Sequence, residues 1–300
     1  MHWDAVVVGA GICGLAAAYE LARRDRRVLV IEATGVGAEQ SAGLARIFRI
    51  AHRTAELRAL ALTARAGWQR WERELGVHLL GDEGLVLVGD WDGFDGEPLD
   101  RAAIRARLPF LDAEWPAARF DPLAGSLRVR RALDALAARV ELRLGVVSAV
   151  DADGTVWVDG ERVTADAVVV CAGLRTQALV EPLGLDLQLR VEPHTRVTYE
   201  PVGLAACFIS PEAYGVPLGR TGRYAIGMHE PGADDWVANV APRLRAVGAI
   251  ECATLFAPWL DHGDGFVELQ AGRVIASGAS NAMKFGPVIG ERLATLAIGR

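Results

Sequence analysis

Lysine is almost missing from this chain. Of its 32 basic residues only Lys284 is lysine, and all the others are arginine. The skew suggests a coding bias toward arginine, which makes the one surviving lysine a residue to follow. Basic clusters are missing too. The arginines are scattered among acids, the net charge is −6 and the isoelectric point is near 5.6. Those values exclude a nucleic-acid-binding or polybasic membrane-binding surface. Cysteine is scarce: Cys13, Cys171, Cys207 and Cys252 lie far apart and form no CxxC pair. That excludes a zinc site or redox dithiol, and it fits a reducing cytoplasm better than a disulfide framework. No uninterrupted apolar run is long enough for a membrane span. The nearest, AVVVGAGICGLAAAYELA, follows Asp4 and is broken by glycines and Glu20, so it reads as neither a signal peptide nor a span. Internal repeats, low-complexity segments and long linkers are also lacking. What remains is a soluble globular composition, 51% apolar and 23% charged over 300 residues, with room for two modest domains.

The apolar run has another explanation. Asp4 to Val8 read as a short buried strand and Leu15 to Arg24 as a helix, with Gly9-Ala10-Gly11-Ile12-Cys13-Gly14 between them. In such a G-x-G-x-x-G, Gly9 permits the tight turn, Gly11 lets the backbone approach a pyrophosphate, and Gly14 lets helix and strand pack closely. The helix start offers N–H groups and a positive dipole end to phosphates. A second strand, Arg27 to Ile31, ends at Glu32, whose carboxylate can accept from ribose hydroxyls and would repel a 2′-phosphate. Because no second G-x-G-x-x-G follows, one dinucleotide is expected, either FAD or NAD.

Along the chain, Leu57, Leu60, Ala61, Ala64, Trp68, Trp71 and Leu75 repeat at helical spacing, with Thr54 as N-cap and Gly76 as C-cap candidates. A strand is predicted from Gly84 and a helix over 100–107. Another helix is predicted over Arg131–Arg139, then strands at Val140–Leu144, Thr155–Val158 and Ala165–Val170. The last runs into Cys171-Ala172-Gly173, a small-residue turn able to admit part of a cofactor. Strand-like runs at Arg196–Tyr199, Ala205–Ile209 and Arg223–Met228 suggest a largely antiparallel second region. A strand at 273–277 and a helix from about Val288 restore α/β character. The expected fold is α/β plus α+β, a Rossmann-like dinucleotide-binding domain (1–80, 125–187, 266–300) with a mostly antiparallel β substrate domain (81–124, 188–265).

Four stretches, VVVGAGICGLAAAYELARRDRRVLVIE, SAGLARIFRIAH, ADAVVVCAG and ASGASNAMKFGPVIGERLATLA, together resemble the D-amino-acid-oxidase-like FAD superfamily. They are most similar to its branch of monomeric sarcosine oxidase and N-methyltryptophan oxidase. The resemblance implies FAD as cofactor, a monomer, and a small amino or imino acid, N-alkylated or cyclic, as substrate. It implies oxidation of the C–N bond by hydride transfer to flavin N5. It places Arg46 near the flavin and has Arg49 and Lys284 clamp the substrate carboxylate, with Tyr214 and His229 at active-site positions. Around the cofactor it adds Ala33, Ser41, Ile47, Val147, Ala172, Gly173, Gly278, Asn281 and Met283. Cys252 is its candidate for covalent FAD attachment. No metal is implied.

The chain departs from that family where an oxygen-activating lysine is usual: the position is Ala225, which makes a dehydrogenase-like activity an alternative to an oxidase. Its last motif, Gly278-Ala279-Ser280-Asn281-Ala282-Met283-Lys284-Phe285, is one residue short. Two other readings stay open. A flavin monooxygenase would use a Gly-Asp pair such as Gly263-Asp264. A degenerate relative would bind FAD weakly and lack amine oxidase activity.

Overall fold

The computed structural model describes residues 2–89, 91, 93–219, 221–229, 234–256 and 265–299; the side chains of 192–194, 234 and 250–256 are outside this description. The first strand, His2–Val8, alternates its side chains between two buried faces: Ala5 and Val7 join one core, Val6 and Val8 the other. A strand apolar on both faces belongs inside a sheet covered on both sides. His2–Val8 accordingly pairs in parallel with Glu161–Val170 on one edge and Val28–Glu32 on the other. The sheet continues outward through Glu141–Leu144 beyond Val28–Glu32, and through Val274–Ser280 and then Gly265–Ala271 beyond Glu161–Val170. The antiparallel pairings within it are those of Gly265–Ala271 with Val274–Ser280 and of Thr155–Val158 with Glu161–Val170 and with Val147–Val150.

One face carries the helices Ile12–Ala22, Ala55–Leu75 and Gly286–Ile298. The first and last touch backbone to backbone: a Cβ on Gly290 would meet the Ala16 carbonyl oxygen at 2.6 Å. Thr54 caps Ala55–Leu75 as the sequence predicts, its hydroxyl accepting from the Leu57 N–H (3.2 Å), and Gly76 closes the helix at φ 69°. That long helix is tied to the site by Trp68, whose Nε1–H donates to the Lys284 carbonyl (2.9 Å). It is tied to the first helix by Trp71, whose Nε1–H donates to buried Glu20 (2.8 Å).

A second eight-stranded sheet runs in the order Arg245–Phe256, Arg190–Glu200, Tyr224–Met228, Ala213–Pro217, Cys207–Ile209, Leu85–Leu87, Ala117–Asp121, Glu97–Asp100. It is antiparallel except where Cys207–Ile209 meets Leu85–Leu87. The runs read as Arg196–Tyr199 and Arg223–Met228 are parts of this sheet. The final helix begins two residues earlier than expected, at Gly286, because Pro287 in the first turn forfeits only an N–H that has no intrahelical acceptor there. No described helix is long and apolar enough to cross a membrane.

Candidate active site

The site lies at the carboxyl ends of four adjacent parallel strands, the usual ligand position in such sheets. Register aligns Ile31, Val8, Val170 and Ala276 across the sheet. The next residues, Glu32, Gly9, Cys171 and Ser277, therefore form a row, and all four line a cavity of about 390 Å³. At a strand spacing of about 4.8 Å, that row spans on the order of 14 Å.

Glu32 fixes one end. Its carboxylate accepts from the Ala10 N–H (2.6 Å), the Thr34 N–H (2.9 Å) and the Thr34 hydroxyl (3.1 Å). Burial pushes its pKa up, but these donors and the Gly35 N–H outweigh that and hold it below the ordinary carboxylate range. At Gly9 (φ +104°) a Cβ would meet the Cys171 carbonyl oxygen at 2.4 Å, so only glycine lets the two strands approach at the turn. Gly14 does not line the cavity. Its role is packing, since a Cβ there would reach the Gly9 carbonyl oxygen at 2.0 Å. Ser41 lines the cavity and accepts from the Ile12 N–H (3.1 Å), pinning the 37–41 loop against the helix start. Two thiols, Cys13 and Cys171, also border it. Burial pushes Cys13 up to about 12 and Cys171 well above the usual thiol range, so neither supplies a thiolate.

Of the other sequence-derived candidates, Gly11, Ala33, Arg46, Val147, Ala172, Gly173, Asn281 and Met283 line the cavity. Ile47 instead pairs with Ser126 in a two-stranded ribbon, and Gly278 faces Leu189, between Ser277 and Ala279, which do line it. Lys284 is buried (6% exposed), its ammonium 5.4 Å from the Phe285 ring centroid, and unlike Met283 it does not line the cavity. The side chain of Cys252 and the pair Gly263-Asp264 lie outside the described residues.

Arg49, Tyr214 and His229 form a second cluster. The rings of Tyr214 and His229 are 5.6 Å apart, and the Arg49 guanidinium lies 5.4 Å from the Trp91 ring centroid. Burial lowers the His229 pKa, the Arg49 charge lowers it further, and the Ser210 carbonyl and Glu212 oppose them without reversing the shift. His229 is therefore neutral at pH 7. Its Nε2 lies 3.1 Å from the Ser210 carbonyl oxygen, which can only accept, so Nε2 carries the hydrogen and Nδ1 is left as an acceptor. Arg196, which sequence reasoning missed, joins the cluster to the cavity. It lines the cavity while its Nε donates to the Tyr214 hydroxyl oxygen (2.9 Å).

A family model described as FAD dependent oxidoreductase (DAO) matches residues 4–296. The chain belongs to this FAD dependent oxidoreductase family. Peroxisomal sarcosine oxidase of Mus musculus is 29% identical over 223 residues, which cover 63% of this chain and 55% of that enzyme. The chain thus spans little more than half the length of that relative. Glycine oxidase from Geobacillus kaustophilus superposes with a TM-score of 0.84 at 22% identity, over 100% of this chain and 95% of that one. L-Proline dehydrogenase from P. horikoshii gives 0.87 at 17%, over 99% and 94%. Likeness at these identities shows the shared fold.

The residues fit FAD. Glu32 presents an oriented acceptor for ribose hydroxyls, and the Gly9–Gly14 turn leads into a helix start. In the wall beyond it, the Ser277 hydroxyl is buried (5% exposed) and has no hydrogen-bond partner among the described residues. A buried polar atom left unpaired at a cavity wall is accounted for by a ligand that pairs with it. Ser277 was not legible as a site residue. Its place follows from the register of the last parallel strand, which no local motif encodes.

Among the described residues no cluster of three or more His, Cys, Asp or Glu side chains could hold a metal.

Proposed function

We propose that this FAD dependent oxidoreductase oxidises the C–N bond of a small amino or imino acid, N-alkylated or cyclic. The observation that carries this reading is the junction at Arg196, where a cavity fitted to a dinucleotide meets the Arg49–Tyr214–His229 cluster. Bound FAD supplies the two-electron acceptor for the hydride leaving the carbon next to nitrogen.

In this reading the protein's own groups bind and orient. Arg49 engages the substrate carboxylate through paired N–H donors. Lys284 adds a compact positive charge to the same carboxylate clamp. Neutral His229 offers Nδ1 as an acceptor for a substrate N–H, and Tyr214 offers a hydroxyl hydrogen. Both hold the substrate in one pose, and such orientation lowers the barrier without a strong base. The product imine is released to hydrolyse. With buried Ala225 in place of a lysine, an acceptor other than oxygen reoxidises the enzyme. Cys252, in the edge strand Arg245–Phe256, is the proposed attachment point should the flavin be covalent.

Anaerobic incubation with sarcosine, N-methylated amino acids and proline tests the reading. Flavin absorbance near 450 nm is expected to bleach with at least one of them, whereas no bleaching with any would overturn it. Acid precipitation of the same sample then reports whether the yellow colour stays with the protein.

A further inference from the structure

Glycine is a poor strand residue, because it gives up more backbone freedom than any other and packs nothing. The second sheet nevertheless carries one in each of two adjacent interior strands, Gly215 in Ala213–Pro217 and Gly227 in Tyr224–Met228. The two serve opposite faces. A Cβ on Gly215 would meet the rings of Phe208 and Tyr224 at 2.2 and 2.4 Å. Those rings stack almost parallel, 6.2 Å apart, in a core none of whose residues lines the cavity. The Tyr224 hydroxyl anchors there by donating to the Ala206 carbonyl (2.6 Å). Gly227 faces the other way: a Cβ there would meet the Tyr214 Cζ and hydroxyl oxygen, each at 2.3 Å.

Register accounts for that contact. Gly227 pairs with Tyr214 on one side and with Arg196 on the other, so the three form one row across the sheet. Neighbours in such a row stand on the same face. The Tyr214 side chain crosses the bare middle position, and its oxygen accepts from Arg196 Nε at 2.9 Å. Any side chain at 227 would stand in its path. The strands cannot retreat, because Phe208 and Tyr224 pack against them from behind, so the ring is what would move. Much depends on where the ring lies. It sits between Arg196, which lines the cavity, and His229, whose ring is 5.6 Å away. A phenol has one hydrogen; with the oxygen accepting from Arg196, that hydrogen is left to donate in a direction the ring sets.

We propose that Gly227 is a positioning residue of the active site. Its missing side chain lets the Tyr214 ring lie across the strand, which fixes the phenol hydroxyl where the cavity meets the Arg49–Tyr214–His229 cluster. Gly227 acts through Tyr214 alone. What the hydroxyl then does for the substrate rests on the amine-oxidising reading given above; the contact itself does not.

A double-mutant cycle tests this. Holoprotein of the wild type, Gly227→Ala, Tyr214→Ala and the double variant is compared in thermal melting and in anaerobic flavin reduction by sarcosine, N-methylated amino acids and proline. Gly227→Ala alone displaces the ring, so reduction slows about ten- to a hundredfold while the FAD content holds, and the melting temperature falls. In Tyr214→Ala there is no ring to displace. Adding Gly227→Ala there slows reduction no further and leaves melting unchanged or raised, since alanine is the better strand residue. Tyr214→Phe keeps the ring, so Gly227→Ala still lowers its melting temperature. A purely structural role makes Gly227→Ala cost the same with and without the tyrosine; that result overturns the proposal, as does unaltered flavin reduction in Gly227→Ala. The melting arm needs no substrate. A melting cost that depends on Tyr214, with no amine reducing the wild-type flavin, keeps the contact and refutes the amine-oxidising reading. Equal melting costs in both backgrounds, with an amine oxidised, refute the positioning role alone.

Discussion

Glu32→Gln is the most informative single perturbation of the cofactor end. The wild-type carboxylate collects the Ala10 and Thr34 N–H groups and the Thr34 hydroxyl. Hydrogen bonds to a charged acceptor contribute about 1.5–3 kcal/mol each when fully buried. Glu32 is only partly buried, and glutamine keeps one acceptor oxygen, so the combined loss discounts to about 1–2 kcal/mol. For a chain of 300 residues with about 2.1 cal/mol/K of unfolding entropy per residue, that lowers the apoprotein melting temperature by roughly 2–3 °C. The pH dependence has a definite sign. The folded pKa is depressed, so the stabilisation is complete above the unfolded pKa and fades as pH falls through the folded one. Glutamine does not titrate, so the wild-type advantage present at pH 7 closes below about pH 4. A lost ribose acceptor also weakens FAD binding about tenfold, since that factor corresponds to about 1.4 kcal/mol. Differential scanning fluorimetry of apoprotein across pH 3.5–7.5, as an approximate window around that value, and an FAD titration read both effects. A variant that melts like the wild type at pH 7, or a gap that widens on acidification, refutes the reasoning.

Three further perturbations probe other parts of the site. Ser277→Ala removes a hydroxyl that makes no hydrogen bond among the described residues, so the apoprotein should melt unchanged while FAD binds about three- to tenfold more weakly; a matching loss of apoprotein stability would contradict this. Lys284→Met keeps the buried stem and deletes the charge, and KM for an amine substrate should rise about tenfold or more with little change in melting. An unchanged KM would remove Lys284 from the carboxylate clamp. Asp121→Ala strips the acceptor from the N–H groups of Ile50 (2.9 Å), Ala51 (3.4 Å) and Leu123 (3.0 Å) at a buried position. It should destabilise the protein by about 2–4 kcal/mol and raise KM through the displaced Arg49, as denaturant melts and steady-state kinetics will report.

How much of this was legible depended on whether the determinant was local. The glycine turn, Glu32, Thr54 and Gly76 announce themselves because a turn or a cap is specified within a few residues. So did the strand Thr155–Val158, whose bounds fall where the apolar run predicts them. Other edges were less sharp: Glu161–Val170 starts four residues before the predicted Ala165, since its first residues pair with Thr155–Val158 rather than joining the apolar run. Strand Gly265–Ala271 was legible only as a strand following Gly263-Asp264, without bounds, as its partly exposed face gives no strong apolar pattern. Arg196 and Ser277 were invisible for a different reason. Each is ordinary in its own strand and becomes part of the site only through sheet register, which depends on residues far away in the chain.

The contact between Gly290 and Ala16 bears on when the site comes into being. The row Glu32, Gly9, Cys171 and Ser277 draws on strands from the beginning, middle and end of the sequence. The helix Gly286–Ile298 closes against the amino-terminal helix with no side chain to cushion the approach. Contacts of such sequence separation are slow to form, because a long loop must close before they stabilise anything. During synthesis the Gly9–Gly14 turn emerges well before Val274–Ser280 and stays without the far wall of its cavity until that strand has been made. Capture of the cofactor is therefore a late event, and a nascent chain stalled before Val274 would carry the dinucleotide motif without the means to hold FAD.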